Sequence, residues 1–325
     1  MIVDCHAHLV PPDLLAAIRK NAAKFPDVRQ IEDGGSLALA FAGAKPTRPV
    51  PKPLSDIAAR VAWMAAQKID KQVVGGWVDM FGYELPGAES ETWSRLANDC
   101  VLAAAKAEPR FVPLATVPLG DGTRAASVLR DAVKAGFTGV MIGTLPRGIG
   151  SALDAADFDP FWQAADETAA IVHIHPSFDA GDVRVNDFGL ANGLGRITDA
   201  AIAVARLICA GHVARYKNVK FFAPMGAAAL PFVLGRLKRN AAITPGIGDP
   251  VEALSRIYSD TILHDARVLK FAVEMMGADR LMMGSDMPFP IGDAEPMKIV
   301  AAAGLSKDQV ASINGGLAAR LFRIQ

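Results

Sequence analysis

The sequence predicts an α/β fold, a (β/α)8 TIM-like barrel with a small insertion after the first strand. Three observations carry this. Short apolar runs alternate with helical periodicity eight times, the pattern of a parallel sheet. Metal-ligand residue types recur just past the ends of three of those runs. The length, 325 residues, suits one large barrel spanning residues 1–325.

The elements follow in order. The first strand enters Met1-Ile-Val-Asp-Cys-His-Ala-His-Leu9. Pro12 to Ala23 has helical spacing behind Pro11-Pro12, a good helix opening. From about residue 28 to 53 the rhythm breaks. Asp33-Gly-Gly35 and the proline-rich stretch up to Pro53 read as turns and an extended loop, with a short strand between them. This insertion is expected near the functional mouth.

Regularity then resumes. Ser55 to Lys68 reads as a helix with Ser55 as N-cap, and Lys71 to Trp77 as the second strand. A helix over Glu91 to Lys106 leads to the third strand, Phe111 to Val117, despite the missing donor of Pro113. Helix Thr123 to Ala135 precedes strand four, Gly139 to Gly143; helix Phe158 to Glu167 precedes strand five, Ala170 to His175. The long helix Ile197 to Ala214 precedes strand six, Val219 to Ala223. Helices Ala227 to Arg239 and Pro250 to Arg256 lead to strand seven, Ile257 to Leu263. Helix Ala266 to Met275 leads to strand eight, Leu281 to Gly284, and three short helices close the chain.

Composition narrows the function. With 34 basic and 34 acidic residues, no net field recruits nucleic acid or an anionic membrane. No apolar run approaches the roughly 20 residues of a membrane span. The first residues lack the basic and apolar regions of a signal peptide. Three cysteines without CxxC spacing argue against a disulfide framework. A cytoplasmic enzyme is the expectation.

His6 and His8 lie two apart, so a strand presents both on one face. His175 precedes Pro176 at the end of the fifth strand, and Asp286 follows the eighth. Imidazole nitrogens with one carboxylate oxygen form a divalent-metal set, best suited to Zn²⁺, with Mn²⁺ the alternative. His173 shares the face of His175 one pitch deeper and is expected behind the ligands. His264, beside Asp265 past the seventh strand, is expected near the mouth. His212 reads as structural. Trp77, Phe81 and Phe289 are candidate pocket walls.

On these residues the chain resembles the amidohydrolase superfamily. It is most similar to the branch of α-amino-β-carboxymuconate-ε-semialdehyde decarboxylase and related metal-dependent decarboxylases. The resemblance runs nearly end to end. It rests on Asp4-Cys-His-Ala-His8, Arg110-Phe-Val-Pro113, Gly139-Val-Met-Ile-Gly-Thr144, His175-Pro176, Leu230-Pro-Phe-Val-Leu-Gly-Arg236 and Met283-Gly-Ser-Asp-Met-Pro-Phe-Pro290. It implies His6, His8, His175 and Asp286 as metal ligands. It also implies that Arg48 in the insertion binds a substrate carboxylate. Arg236 is implied to reach the site of a neighbouring subunit, hence a homodimer. One position departs: where the family carries a catalytic His, this chain has Met225. A thioether cannot shuttle a proton.

Three functions follow as expectations. The first is a metal-dependent non-oxidative decarboxylase of a small unsaturated or aromatic carboxylic acid. There Asp286, His264 or His173 would replace the missing imidazole, and Met225 would line the pocket. The second is a related hydrolase or hydratase, with Asp286 as ligand and proton carrier. The third is a weakly active or non-catalytic relative.

Overall fold

The computed structural model describes residues 1–177 and 181–325. Ten strands are present among them: β1 (Val3–His8), β2 (Val28–Asp33), β3 (Ser36–Phe41), β4 (Lys71–Gly75), β5 (Phe111–Pro113), β6 (Gly139–Gly143), β7 (Ile171–His175), β8 (Lys220–Phe222), β9 (Ser259–Asp260) and β10 (Leu281–Met282). β2 and β3 form an antiparallel hairpin of their own. The others pair in parallel as β1-β4-β5, β6-β7-β8 and β9-β10. Single parallel bridges connect these pieces: Ala115 to Val140, Phe222 to Tyr258, and Ala7 to Met287.

The period of two decides which side chains meet. On β1, Val3, Cys5 and Ala7 join apolar clusters, while Asp4, His6 and His8 make polar contacts. On β7, Val172 and Ile174 pack into the largest apolar cluster, leaving His173 and His175 on the opposite face. The helices cover the apolar side. Helix Gly122–Ala135 is typical: Asp121 accepts from the Thr123 and Arg124 amides at 3.0 Å each, and Gly136 ends it at φ 110°. Its Ala125, Val128, Leu129 and Ala132 are buried at helical spacing. Burying a side chain such as Leu129 contributes roughly 1.5–3 kcal/mol.

Several expected boundaries are corrected. Ser55 does not cap: its hydroxyl donates to the Val10 carbonyl at 2.7 Å, and Asp56 caps helix Ile57–Ala66 by accepting from the Ala59 amide at 2.9 Å. The insertion holds two strands rather than one. Gly34 and Gly35, with φ 54° and 84°, close a two-residue hairpin that pairs Val28–Asp33 with Ser36–Phe41. The helix expected to run to Ala214 ends at Cys209, because Gly211 turns left-handed (φ 77°) before a short helix His212–Arg215. Strand seven shrinks to Ser259–Asp260, since the chain turns at Thr261–Leu263 toward the strand-end cavity.

Candidate metal centre

β1, β7 and the loop after β10 bring four side chains together. One donor atom from each of His6, His8, His175 and Asp286 lies within 4.8 Å of the others, and all four residues are buried. His6 Nε2 is 3.3 Å from His8 Nε2, and Asp286 Oδ1 is 3.1 Å from His8 Nε2 and 3.7 Å from His6 Nε2.

The other nitrogen of each imidazole is occupied. His6 Nδ1 meets Asp260 Oδ2 at 2.7 Å, His8 Nδ1 the Gly76 carbonyl at 3.0 Å, and His175 Nδ1 the Pro176 carbonyl at 2.9 Å. Each acceptor assigns the proton to Nδ1, so the three Nε2 lone pairs face one another and a carboxylate. Buried acceptors without a shared proton repel; a divalent cation among them removes the conflict. The donor set therefore fits a divalent metal.

The surroundings act on charge as expected of such a site. Burial pulls the His6 imidazole down, but Asp260, Asp286 and Asp4 outweigh it and hold the group above its ordinary value. Burial keeps His8 below its ordinary value, only partly offset by Asp286. His175 is pushed well below by burial and by the neighbouring imidazoles. Burial would raise Asp286, yet His8, His6 and Arg196 bring it below its usual range.

Local sequence explains the geometry. Asp286 adopts φ 57°, a left-handed conformation that Asp tolerates, while its amide donates to the His6 carbonyl at 2.8 Å. Gly284 must be glycine: a Cβ there would lie 2.9 Å from Asp260 Cβ and 3.2 Å from His6 Cβ. Asp4 ties the loop to β1. It accepts from the Ser285 hydroxyl at 2.5 Å, the Ser285 amide at 3.0 Å and Gln72 Nε2 at 2.8 Å. Buried Arg60 donates to Gln72 Oε1 at 3.0 Å and to the His8 carbonyl.

A cavity of about 880 Å³ opens from this centre. His6, His175 and Asp286 lie on its wall with Arg196, Met225 and His264. Met225 stands in a left-handed turn, with φ 54° at Met225, 62° at Gly226, 59° at Ala227, 52° at Ala228 and 62° at Ala229. The Met225 amide donates to Asp260 Oδ1 at 2.7 Å and the Ala227 amide to Ser259 Oγ at 2.6 Å. Such a turn persists only where neighbours hold it.

The remaining candidates are placed differently. His173 is fully buried off the cavity wall, stacked on Phe222 at 4.1 Å, and neither ring nitrogen has a hydrogen-bond partner among the described residues. Burial drives it well below its ordinary value, so it is a neutral ring behind the ligands. Arg48 pairs with Asp79 at 3.0 and 3.3 Å and stacks over Trp77, outside the cavity wall. Trp77 packs with Val10, Leu14 and Met80, and Phe81 with Val3 and Met141, in apolar clusters away from the cavity. Phe289 is half-buried, 5.2 Å from the His8 ring. Arg236 is exposed on helix Leu230–Ile243, also outside the cavity wall.

Sequence reasoning missed Asp260 and Arg196. For Asp260 the signal was a polar triplet, Ser259-Asp-Thr261, inside an otherwise strand-like run. Arg196 gave no signal, since its neighbourhood forms only when residues 191–196 fold over the strand ends.

An α/β fold with three imidazoles and a carboxylate meeting at its strand ends defines a metal-binding class of protein. The chain belongs to the amidohydrolase family, whose model matches residues 3–324. It is 26% identical over 249 residues to the 2-amino-3-carboxymuconate-6-semialdehyde decarboxylase of Dictyostelium discoideum, covering 74% of this chain and 69% of that one. Among solved structures it resembles 5-carboxyvanillate decarboxylase from Sphingomonas paucimobilis, with TM-score 0.83, 22% identity, and coverage of 100% and 99% of the two chains. The 5-carboxyvanillate decarboxylase of Novosphingobium aromaticivorans, solved with manganese and a nitrobenzoic acid, has TM-score 0.79 at 20% identity, covering 100% and 96%.

Proposed function

We propose that this chain is a metal-dependent, non-oxidative decarboxylase of an unsaturated or aromatic carboxylic acid. The observation that carries the reading is a four-donor metal centre at one end of a largely apolar cavity. The relatives named above, all decarboxylases, support it. The three single bridges support a closed (β/α)8 barrel as the scaffold.

His6, His8, His175 and Asp286 would hold the cation, with zinc the better match to three nitrogens and one oxygen and manganese the alternative. When bound, the metal supplies Lewis acidity beside the substrate. The chain's own residues do the rest. The largely apolar lining would disfavour water beside the reacting carbon. As the carbon–carboxylate bond breaks, its electron pair stays on that carbon and CO₂ departs. His264, the imidazole on the wall outside the ligand set, gives its proton to the same carbon. Exposed Phe232, Val233 and Phe271 support a homodimer, to which Arg236 on the same helix as Phe232 would contribute. Three free thiols support a reducing, cytoplasmic setting. No helix among the described residues is long and apolar enough to cross a membrane.

The test supplies ring-cleavage acids and hydroxybenzoates to zinc- and manganese-loaded protein. CO₂ release without incorporation of water is expected. Product carrying ¹⁸O from solvent, with no CO₂, would replace this reading by hydrolysis or hydration. His264→Gln should lower turnover by about 10²–10⁴ while metal content is unchanged.

A further inference from the structure

Each imidazole of the metal centre rests its Nδ1 on a different acceptor. His6 has the Asp260 carboxylate, His8 the Gly76 carbonyl and His175 the Pro176 carbonyl. The third acceptor has a carboxylate behind it. Its peptide group joins Pro176 to Ser177, and the Ser177 N–H donates to Asp199 Oδ2 at 2.9 Å. The peptide is trans, so its C=O and N–H point opposite ways. His175 and Asp199 therefore sit on opposite sides of one planar unit. Strand pairing prepares this corner: β6 and β7 set Gly143 against His175, so Thr144 and Ser177 leave adjacent strand ends together. The Thr144 hydroxyl donates to Asp199 Oδ2. With that proton spent, Thr144 Oγ1 accepts from the Ser177 amide and hydroxyl, each at 3.1 Å. Asp199 reaches them from the first turn of helix Arg196–Cys209. It is 7% exposed, and Thr144 1%.

We propose that Asp199 is a positioning residue for the metal ligand His175, acting through the Pro176–Ser177 peptide as Asp260 acts directly on His6. A carboxylate that accepts from an amide N–H polarises that amide, and the carbonyl at its other end becomes a better acceptor. The Nδ1–H of His175 is then held more firmly, which fixes the ring and makes Nε2 a stronger donor to a cation. Burial in a medium of low dielectric strengthens each link of the chain. A simple tie between strand ends would need only the hydrogen bonds; this role also needs the charge. The inference rests on the metal centre of the proposed function and not on its reaction, so metal binding is what tests it.

Two variants separate charge from tie. In Asp199→Asn an amide oxygen can stand where Oδ2 lies, so both hydrogen bonds and the packing remain while the charge goes. Its zinc affinity, measured by competition with a chelating dye, should fall about 10-fold, the low end of the range for partners bonded directly to a ligand. Its urea midpoint should stay near wild type. Thr144→Val loosens the same corner but leaves the carboxylate on the Ser177 amide. That variant should lower the midpoint and keep the zinc affinity. In zinc-loaded protein labelled with ¹⁵N-histidine, Asp199→Asn should move one ligand Nδ1–H signal upfield and leave the other two in place. Wild-type zinc affinity in Asp199→Asn, or an equal loss in Thr144→Val, overturns the inference and leaves the metal centre standing. A wild-type protein that takes up neither zinc nor manganese overturns the centre and the inference with it.

Discussion

Asp260 Oδ2 lies 2.7 Å from His6 Nδ1, and the other oxygen of the same carboxylate accepts the Met225 amide at 2.7 Å. One buried side chain thus fixes the tautomer of a metal ligand and holds a left-handed turn in place. The Ile262 amide adds a third contact at 3.1 Å. Left-handed residues other than glycine cost about 1–2 kcal/mol each, so Met225, Ala227, Ala228 and Ala229 need such anchoring. The metal centre and the adjoining cavity wall are therefore mechanically joined.

Asp260→Asn should expose that joint. An amide has one acceptor oxygen where the carboxylate has two, so it cannot serve both His6 and the turn. Metal affinity, measured by competition with a chelating dye, is expected to fall by about 10- to 100-fold. Equal affinity in the variant would show that Asp260 does not orient His6.

Metal binding should stabilise the fold. Without the cation the facing acceptors of His6, His8, His175 and Asp286 repel, and at a hundredfold excess over Kd one bound ion contributes about 2.7 kcal/mol. Chelation should lower Tm, and added Zn²⁺ or Mn²⁺ should restore it. Asp286→Ala should stay folded, lose turnover, and show a much smaller Tm response to metal. A full response in that variant would take Asp286 out of the ligand set.

Arg60 is a structural prediction. It is 1% exposed, and burial pushes its guanidinium down to about 10. Arg60→Met removes the donors to Gln72 and to the His8 carbonyl, each a buried acceptor worth about 1–3 kcal/mol when left unmade. Urea unfolding should show a loss of that order. A midpoint equal to wild type would mean the acceptors find other partners.

Acid sensitivity should have a component far from the metal. His212 is buried against Trp162 and Tyr216, and burial holds its imidazole below the ordinary value despite Asp159. The unfolded chain then binds the proton more readily than the folded one. Stability contributed by the neutral ring is complete above about pH 6.5 and is lost as pH falls toward the depressed folded value. In metal-saturated protein, His212→Phe should flatten the decline of unfolding free energy between about pH 6.5 and 5. An unchanged slope would assign that decline to other groups, such as His173.

Much of this was legible in the chain itself. Alternation on β1 and β7 already put His6 with His8 and marked His175, because strand period depends on local sequence alone. Asp286 was readable because it follows directly on a short apolar run, Leu281 to Met283, whereas the need for glycine at 284 came only from the approach of Asp260 and His6. Boundaries were less legible where side chains bond across the fold, as when Ser55 turns to Val10 and leaves Asp56 to cap.

The amino-acid sequence by itself determined the parallel α/β pattern and the four-donor set. Tertiary structure decided which charges meet. Asp260 became the partner of His6, Arg48 went to Asp79, and Arg196 came to a cavity wall shared with His175 and Asp286. The physical reason is range: pattern and propensity act over a few residues, whereas an ion pair or a cavity wall joins residues far apart in the chain. His6 and Asp260, separated by 254 positions, meet only when the strands are assembled side by side.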